Sequence, residues 1–410
     1  MRRARADRTR PAHSVSRQTR VLTVGTFLTM TGLTLVAPIL PLYAREFGVS
    51  RSAAGALISG FAAARLIFDI IGGVASDRIG ARNVMLAGAG LLAVASVGAA
   101  LAPSYPVLLA TRFLEGFGSS AFATSAMKFI IVTTPSERLG RTMAFYQTGL
   151  LAGVSLGPLV GGVAAELGDF ATPFWVYAGL SGLVAVLVWR YVEVTEPTTS
   201  TVRHAARAAG TLVRSPAFTA LMFVSVAVFF MRSGARLTLL PLYAAEELGL
   251  SESRIGLVLG VGAAMTLAVV NVGGWLLDRV GRVPVLIAGL LATAAAIAAH
   301  GVVSTLPGLL VVSVGFGVAA GIMGTAPPTL AGDLAVPGAE GAAVGLYRMA
   351  GDVGLVLGPL VLGWVADGGA FEAGFLLSAG LLVAAAGVAV VIGRGRRPLG
   401  STVIVAAQAP

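Results

Sequence analysis

Apolar residues run along this chain in blocks of about twenty, separated by short polar or charged turns. A bilayer core of ~30 Å is crossed by about 20 residues of helix, and a window of that size marks twelve such blocks. Six lie near 21 to 43, 53 to 76, 84 to 102, 106 to 131, 143 to 165 and 172 to 190. Six more lie near 217 to 242, 254 to 277, 284 to 303, 308 to 331, 342 to 365 and 372 to 392. The polar stretch VEVTEPTTSTVRHAARAAGTLVRSP separates the two groups. The pattern predicts an all-α polytopic membrane protein. It comprises a tail at 1–20, a six-helix bundle at 21–192, a linker at 193–216, a second bundle at 217–393 and a tail at 394–410. An even number of spans puts both termini on one side.

Composition narrows the class. Only 12% of the 410 residues are charged and 56% are hydrophobic, whereas soluble domains carry roughly 25% charged residues. A soluble enzyme is excluded. The absence of cysteine and of long polar tracts excludes disulfide-stapled and disordered proteins as well. A net charge of +10 raises the question of a nucleic-acid partner, which the placement of the charges answers. With the amino terminus inside, twenty arginines fall on the cytoplasmic side, and only Arg45, Arg51 and Arg254 outside. This positive-inside bias predicts a multi-pass protein of the cell membrane with both termini cytoplasmic, whose partner is the lipid bilayer and no nucleic acid. The Arg-rich first twenty residues read as a retained tail. A mitochondrial presequence is the alternative, and Asp7 within the segment counts against it.

The two halves repeat one another. PILPLYAREFGVS and TLLPLYAAEELGLS pair Pro41 with Pro241 and Tyr43 with Tyr243. At a spacing of 201 come Asp77 with Asp278, Arg78 with Arg279, Gly80 with Gly281, Tyr146 with Tyr347 and Pro158 with Pro359. Glycine matches carry little weight in a chain with 54 glycines. The Asp, Arg, Pro and Tyr matches, in one register over eighty residues, carry more. Six spans per copy make the repeats parallel, related by an axis along the membrane normal, with a central cavity near mid-membrane between them.

These residues resemble the major facilitator superfamily. GGVASDRIGAR, from Gly72 to Arg82, is similar to that family's signature loop, and GGWLLDRVGR, from Gly273 to Arg282, to its second-half copy. The resemblance implies cytoplasmic gating loops carrying Gly73, Asp77, Arg78, Gly80, Arg82, Gly274, Asp278 and Arg279. A carboxylate such as Asp77 can sit at the positive end of a neighbouring helix. The alternative is a charged turn that only fixes topology. GVSLGPLVGG resembles the antiporter motif of drug-efflux members, with Gly153, Gly157, Pro158, Gly161 and Gly162. That implies a helix sealing the outer side, against the plainer reading of a proline kink with packing glycines. GLTLVAPILP in the first span is similar to a pattern of twelve-span drug antiporters. RFLEGFG is close to the family's R-x-x-Q-G element, with Glu115 in place of Gln.

Ionisable residues inside spans are costly and mark function by default. They are Arg65, Asp69, Arg112, Glu115, Lys128, Arg232, Arg236, Arg348 and Asp352. Lys128 lies near an end and can snorkel. Glu115 is the first candidate for a proton carrier: burial works against its charge, Arg112 one turn away works for it, and the competing reading is a permanent structural pair. Asp69 and Asp352 are the other candidates. R-x-x-x-D occurs twice, as Arg65 with Asp69 and Arg348 with Asp352, on helices of opposite direction. The expectation is an ion-pair set between the halves, against local pairing within each helix. Arg232 and Arg236, one turn apart, are cavity candidates that favour anionic or zwitterionic substrates, or else pair with Asp352 or helix-end carbonyls.

No nucleotide-binding motif is present, and His13, His204 and His300, in or beside loops, fit no metal or catalytic spacing. The expectation is a non-enzymatic secondary transporter, monomeric, with no cofactor and the proton gradient as its energy source. The resemblance implies multidrug-type efflux, the export of a hydrophobic or amphiphilic small molecule by proton antiport with alternating access. Proton-coupled uptake of a sugar, organic anion or other small metabolite is the alternative.

Overall fold

The computed structural model describes residues 16–194, 210–335 and 340–394, with the side chains of 70–78, 136–141, 144, 340–342 and 394 outside that description. Most of the two tails and of the linker expected at 193–216 therefore lie outside the described residues, as do the side chains of Gly73, Asp77 and Arg78.

Among the described residues the chain forms twelve helical rods and a short helical turn at 210–213. The first six are α1 (Arg17–Val36, continued as Leu40–Glu46), α2 (Arg51–Ile79), α3 (Ala81–Ala100), α4 (Tyr105–Thr133), α5 (Ser136–Leu167) and α6 (Thr172–Tyr191). The second six are α7 (Pro216–Phe230, Met231–Leu239 and Leu240–Glu246), α8 (Glu252–Val280), α9 (Arg282–His300), α10 (Leu306–Met323 and Ala326–Asp333), α11 (Glu340–Asp367) and α12 (Phe371–Arg394). Eleven are long and apolar enough to cross a bilayer. The twelfth, α4, has 29 residues and falls short in apolarity because it carries Arg112, Glu115 and Lys128.

Three rods are interrupted where hydropathy reads one block. In α1, Pro38 and Pro41 remove amides and crowd the preceding turn, so the helix ends at Val36 and restarts at Leu40. In α10 the break at Gly324 and Thr325 precedes Pro327 and Pro328. In α7 the segment Met231–Leu239 widens into a π-helix before Pro241, and the Thr238 hydroxyl donates to the Ser233 carbonyl five residues back at 2.9 Å. Pro158 and Pro359, by contrast, sit inside the unbroken α5 and α11. The turns from α2 to α3 and from α8 to α9 pass through Gly80 and Gly281 at φ +84° and +99°, a region open to glycine and strained for other residues.

The chain divides into two compact units. Unit 1 comprises residues 1–47, 60–200 and 251–260, and unit 2 comprises 48–59, 201–250 and 261–410. In unit 1, α1 packs on α5 and α6, and α3 on α4 and α6. Unit 2 uses the equivalent pairs, α7 on α11 and α12, and α9 on α10 and α12. One apolar cluster of unit 1 gathers Leu22, Met85, Phe122, Phe129, Tyr146 and Val188.

Glycine lets these helices meet backbone to backbone. A Cβ at Gly153 would lie 2.5 Å from the Phe27 carbonyl oxygen, and one at Gly157 would lie 2.8 Å from Leu35 N and the Thr31 oxygen. A Cβ at Gly161 would run into the Leu35 carbonyl. Unit 2 repeats this at the same spacing of 201, with Gly354 on the Val226 carbonyl and Gly358 on that of Phe230. The glycine matches thus mark real contacts. Gly157→Val is expected to destabilise unit 1 by roughly 1–3 kcal/mol, since behind the Thr34 hydroxyl the opposing atoms are backbone and cannot rotate away. Thermal unfolding in detergent measures it, with Gly179→Val, whose Cβ would meet nothing within 4 Å, as the near-neutral control.

Candidate functional site

The rod α4 builds the polar centre of unit 1. Gly116 allows α4 onto α2, since a Cβ there would strike the Phe61 carbonyl, and Gly118 allows it onto α3, where a Cβ would lie 2.7 Å from the Gly88 oxygen. The close approach encloses Arg112 and Glu115, which are 3% and 0% exposed. Glu115 accepts from Arg112 Nη1 and, at 2.7 Å, from the Ser96 hydroxyl of α3. The guanidinium also lies over the Phe61 ring, 4.7 Å from its centroid. One turn further, the Ser119 hydroxyl is buried with no hydrogen-bond partner among the described residues, as are Arg112 Nε and the Tyr177 hydroxyl of α6. The result is a charge-neutral pair shut away from water.

A second carboxylate meets the other side of α4. Asp69, half-buried on α2, accepts through Oδ1 from the Ser120 hydroxyl and from Thr124 Oγ1, the latter at 3.1 Å. Asp69 thus bonds to α4, and Arg65 Nε is buried without a hydrogen-bond partner among the described residues. Neither hydroxyl partner carries a signal in the sequence: they lie 51 and 55 positions away. Of the residues in the two R-x-x-x-D motifs, Arg65 and Asp69 fall in unit 1 and Arg348 and Asp352 in unit 2. Asp352 is buried at 4% exposure and Arg348 is half-buried.

In unit 2 the π-helical part of α7 separates the two cavity candidates. Arg232 is exposed, while Arg236 is buried at 5% exposure. Arg236 Nη1 contacts His300 Nε2 and donates to the Ser313 hydroxyl, each at 3.2 Å, and its guanidinium lies 4.3 Å from the Phe316 centroid. His300 is 0% exposed and stacks on Phe375. Its place at a helix end suggested a loop residue, and the sequence offers no sign that it is the floor of a buried cluster. Among the described residues, no group of three or more His, Asp or Glu could hold a metal ion.

A further pair of carboxylates holds helix starts. Asp367 at the end of α11 accepts from the Arg51 and Ser52 amides that open α2, at 2.6 and 3.1 Å. Glu166 at the end of α5 accepts from the Ser253 amide that opens α8, at 3.1 Å. The two are 201 residues apart, and each satisfies amides that a helix leaves orphaned. Arg51 adds an ion pair to Glu246 at 2.6 Å and lies over the Phe371 ring. At the other ends of these helices, Arg82 donates to the Trp189 carbonyl at 2.6 Å. Asp278 is exposed, Arg279 lies over Trp275, and Gly274 has open space around it. Within the glycine-rich motif, Gly153, Gly157 and Gly161 face α1, while Gly162 and Pro158 face Gly256 of α8.

The model of the Major Facilitator Superfamily matches residues 22–270 and 221–408, which together span both halves. An uncharacterized MFS-type transporter of Methanocaldococcus jannaschii is 24% identical over 360 residues, 85% of this chain and 90% of that protein. The quinolone resistance protein NorA of Staphylococcus aureus is 28% identical over 187 residues, and the match covers 46% of this chain and 47% of NorA. The crystal structure of the nucleoside transporter NupG superimposes with a TM-score of 0.77 over 92% of this chain and all of that one, at 13% identity, a likeness of fold. With twelve helices in two matching sets and the family model matched across both, the chain belongs to the Major Facilitator Superfamily and is a multi-pass membrane transporter, not an enzyme.

Proposed function

We propose that this transporter exports a hydrophobic or amphiphilic small molecule in exchange for protons, by alternating access of the six-helix halves at 21–192 and 217–393. It does so as a monomer in the cell membrane with both termini cytoplasmic. The observation that carries the reading is Asp69. One carboxylate oxygen is held by two hydroxyls of α4, and its other oxygen is left to exchange a proton. The Arg112 and Glu115 pair beside it is sealed by its own partners and serves as the fixed floor of that site. The two signature-loop copies are the cytoplasmic gate, and the carboxylates capping α2 and α8 hold the opposite side. The partial match to a quinolone resistance protein supports export over uptake.

Everted vesicles loaded with the full chain test this. An imposed interior-acid gradient is expected to drive uptake of a lipophilic dye into the vesicles, with protons leaving in exchange, so that the external pH falls on dye addition until the gradient collapses. Dye movement that ignores the proton gradient sinks the antiport reading. Proton-driven movement in the opposite direction assigns uptake in its place.

A further inference from the structure

We infer that Arg236 is the docking point for a carboxylate carried by the transported molecule, which makes the ligand class an amphiphilic or aromatic monocarboxylate. The inference deepens the export reading, and rests on it only for the direction of travel.

Comparison of the repeats carries the argument. At the spacing of 201, Phe61 matches Gly262, Ala99 matches His300, Arg112 matches Ser313 and Glu115 matches Phe316. The helices themselves keep that spacing: α2 and α8 both run 29 residues, from 51 and from 252. In unit 1 this place holds an arginine together with its carboxylate. In unit 2 it again holds a buried guanidinium, now reaching in from α7, but the position of the acid is Phe316. All of Arg236's partners are neutral: His300 Nε2, the Ser313 hydroxyl and the Phe316 ring. A buried cation costs several kcal/mol unless an anion accompanies it.

The shape of the site indicates which anion. Both polar contacts of Arg236 are made by Nη1, and Nε and Nη2 have no hydrogen-bond partner among the described residues. That edge of a guanidinium takes a carboxylate in two parallel bonds. Glycine at 262 makes room for the guanidinium: a Cβ there would lie 2.5 Å from Nη2, and unit 1 has Phe61 in its place. His300 is committed as well. Its Nδ1 lies 2.7 Å from the Ala296 carbonyl and so donates, leaving Nε2 as the acceptor for Arg236. The ring therefore carries no charge of its own in this arrangement, and it contacts Arg236, Ser313, Phe316 and Phe375. Phe316 and Phe375 flank the cluster and fit the apolar body of such a ligand.

Benzoate, titrated calorimetrically into the detergent-solubilised full chain without any gradient, tests the site apart from transport. Saturable binding is expected in the parent protein. Arg236→Lys, which keeps the charge and loses the fork, is expected to weaken it at least tenfold. Phe316→Glu installs the acid that unit 1 carries and is expected to abolish benzoate binding while leaving the thermal midpoint at or above that of the parent. No saturable binding to the parent protein overturns the proposal. So does parental affinity in Phe316→Glu, and so does equal competition by chloride, which would assign a resident halide. A protein that binds benzoate as described yet fails the vesicle experiment would retain the site and lose the export reading.

Discussion

Glu115→Ala is expected to lower stability by about 3 to 5 kcal/mol, the cost of stranding a buried charge by removing one partner of an enclosed pair. Arg112 is 3% exposed, its Nε already lacks a partner, and its remaining company would be the Phe61 ring. The ring attracts a cation by about 2 kcal/mol at best when desolvated, too little to replace a carboxylate. Removing both charges behaves differently. Replacing Arg112 and Glu115 together by Met exchanges an ion pair for apolar volume, a change that ranges from neutral to stabilising by 1 to 4 kcal/mol in buried sites. Ser96 then loses its acceptor, at a cost of about 1 kcal/mol. Thermal unfolding of the three proteins in one detergent measures the difference: the single variant falls well below the parent, and the double variant returns close to it. Equal losses in both would show that the carboxylate acts by packing alone. Proton-driven transport by the double variant would separate the carboxylates of α4 and α2, leaving Glu115 a structural part and Asp69 the coupling group.

What the amino-acid pattern reveals here, and what it hides, follows from the range of each interaction. Twelve rods and two matching copies are legible because span length is a local property and the repeats keep one register. The register of 201 residues recurs in the helix boundaries of α2 and α8. Glycines 153, 157 and 161 are legible as a motif, yet the reason for their spacing lies in the backbone of α1, more than a hundred residues earlier. The breaks in α1, α7 and α10 escape a hydropathy window because it counts apolar residues and not the amide ladder that proline interrupts. Polar partnerships are hidden most. Asp69 with Thr124, Arg236 with His300, and Asp367 with Arg51 are separated by 55, 64 and 316 residues. Nothing local distinguishes Ser120 or Ser313 from the many other hydroxyls of the chain. Arg236, which the sequence pairs with Asp352 or helix-end carbonyls, is held instead by the neutral side chains of His300, Ser313 and Phe316.

Asp69→Asn is expected to leave a folded protein that still exchanges its substrate down a gradient but no longer accumulates it against one. The amide keeps an oxygen where Oδ1 accepts from Ser120 and Thr124, so the contact between α2 and α4 survives and the thermal midpoint should move little. What disappears is the proton. One proton crossing ~100 mV releases about 2.3 kcal/mol, and a tenfold pH difference adds ~1.4 kcal/mol. Together these sustain roughly a 500-fold substrate gradient. With Asn at position 69 the accumulation ratio in energised everted vesicles should fall from that order toward ~1, while counterflow, which needs no net proton movement, continues. Asp69→Glu, with a longer arm and the same chemistry, should recover part of the ratio. Full accumulation by the Asn variant would remove Asp69 from the coupling path. Loss of counterflow together with accumulation would mean that the substitution blocks the movement of the halves and not the proton.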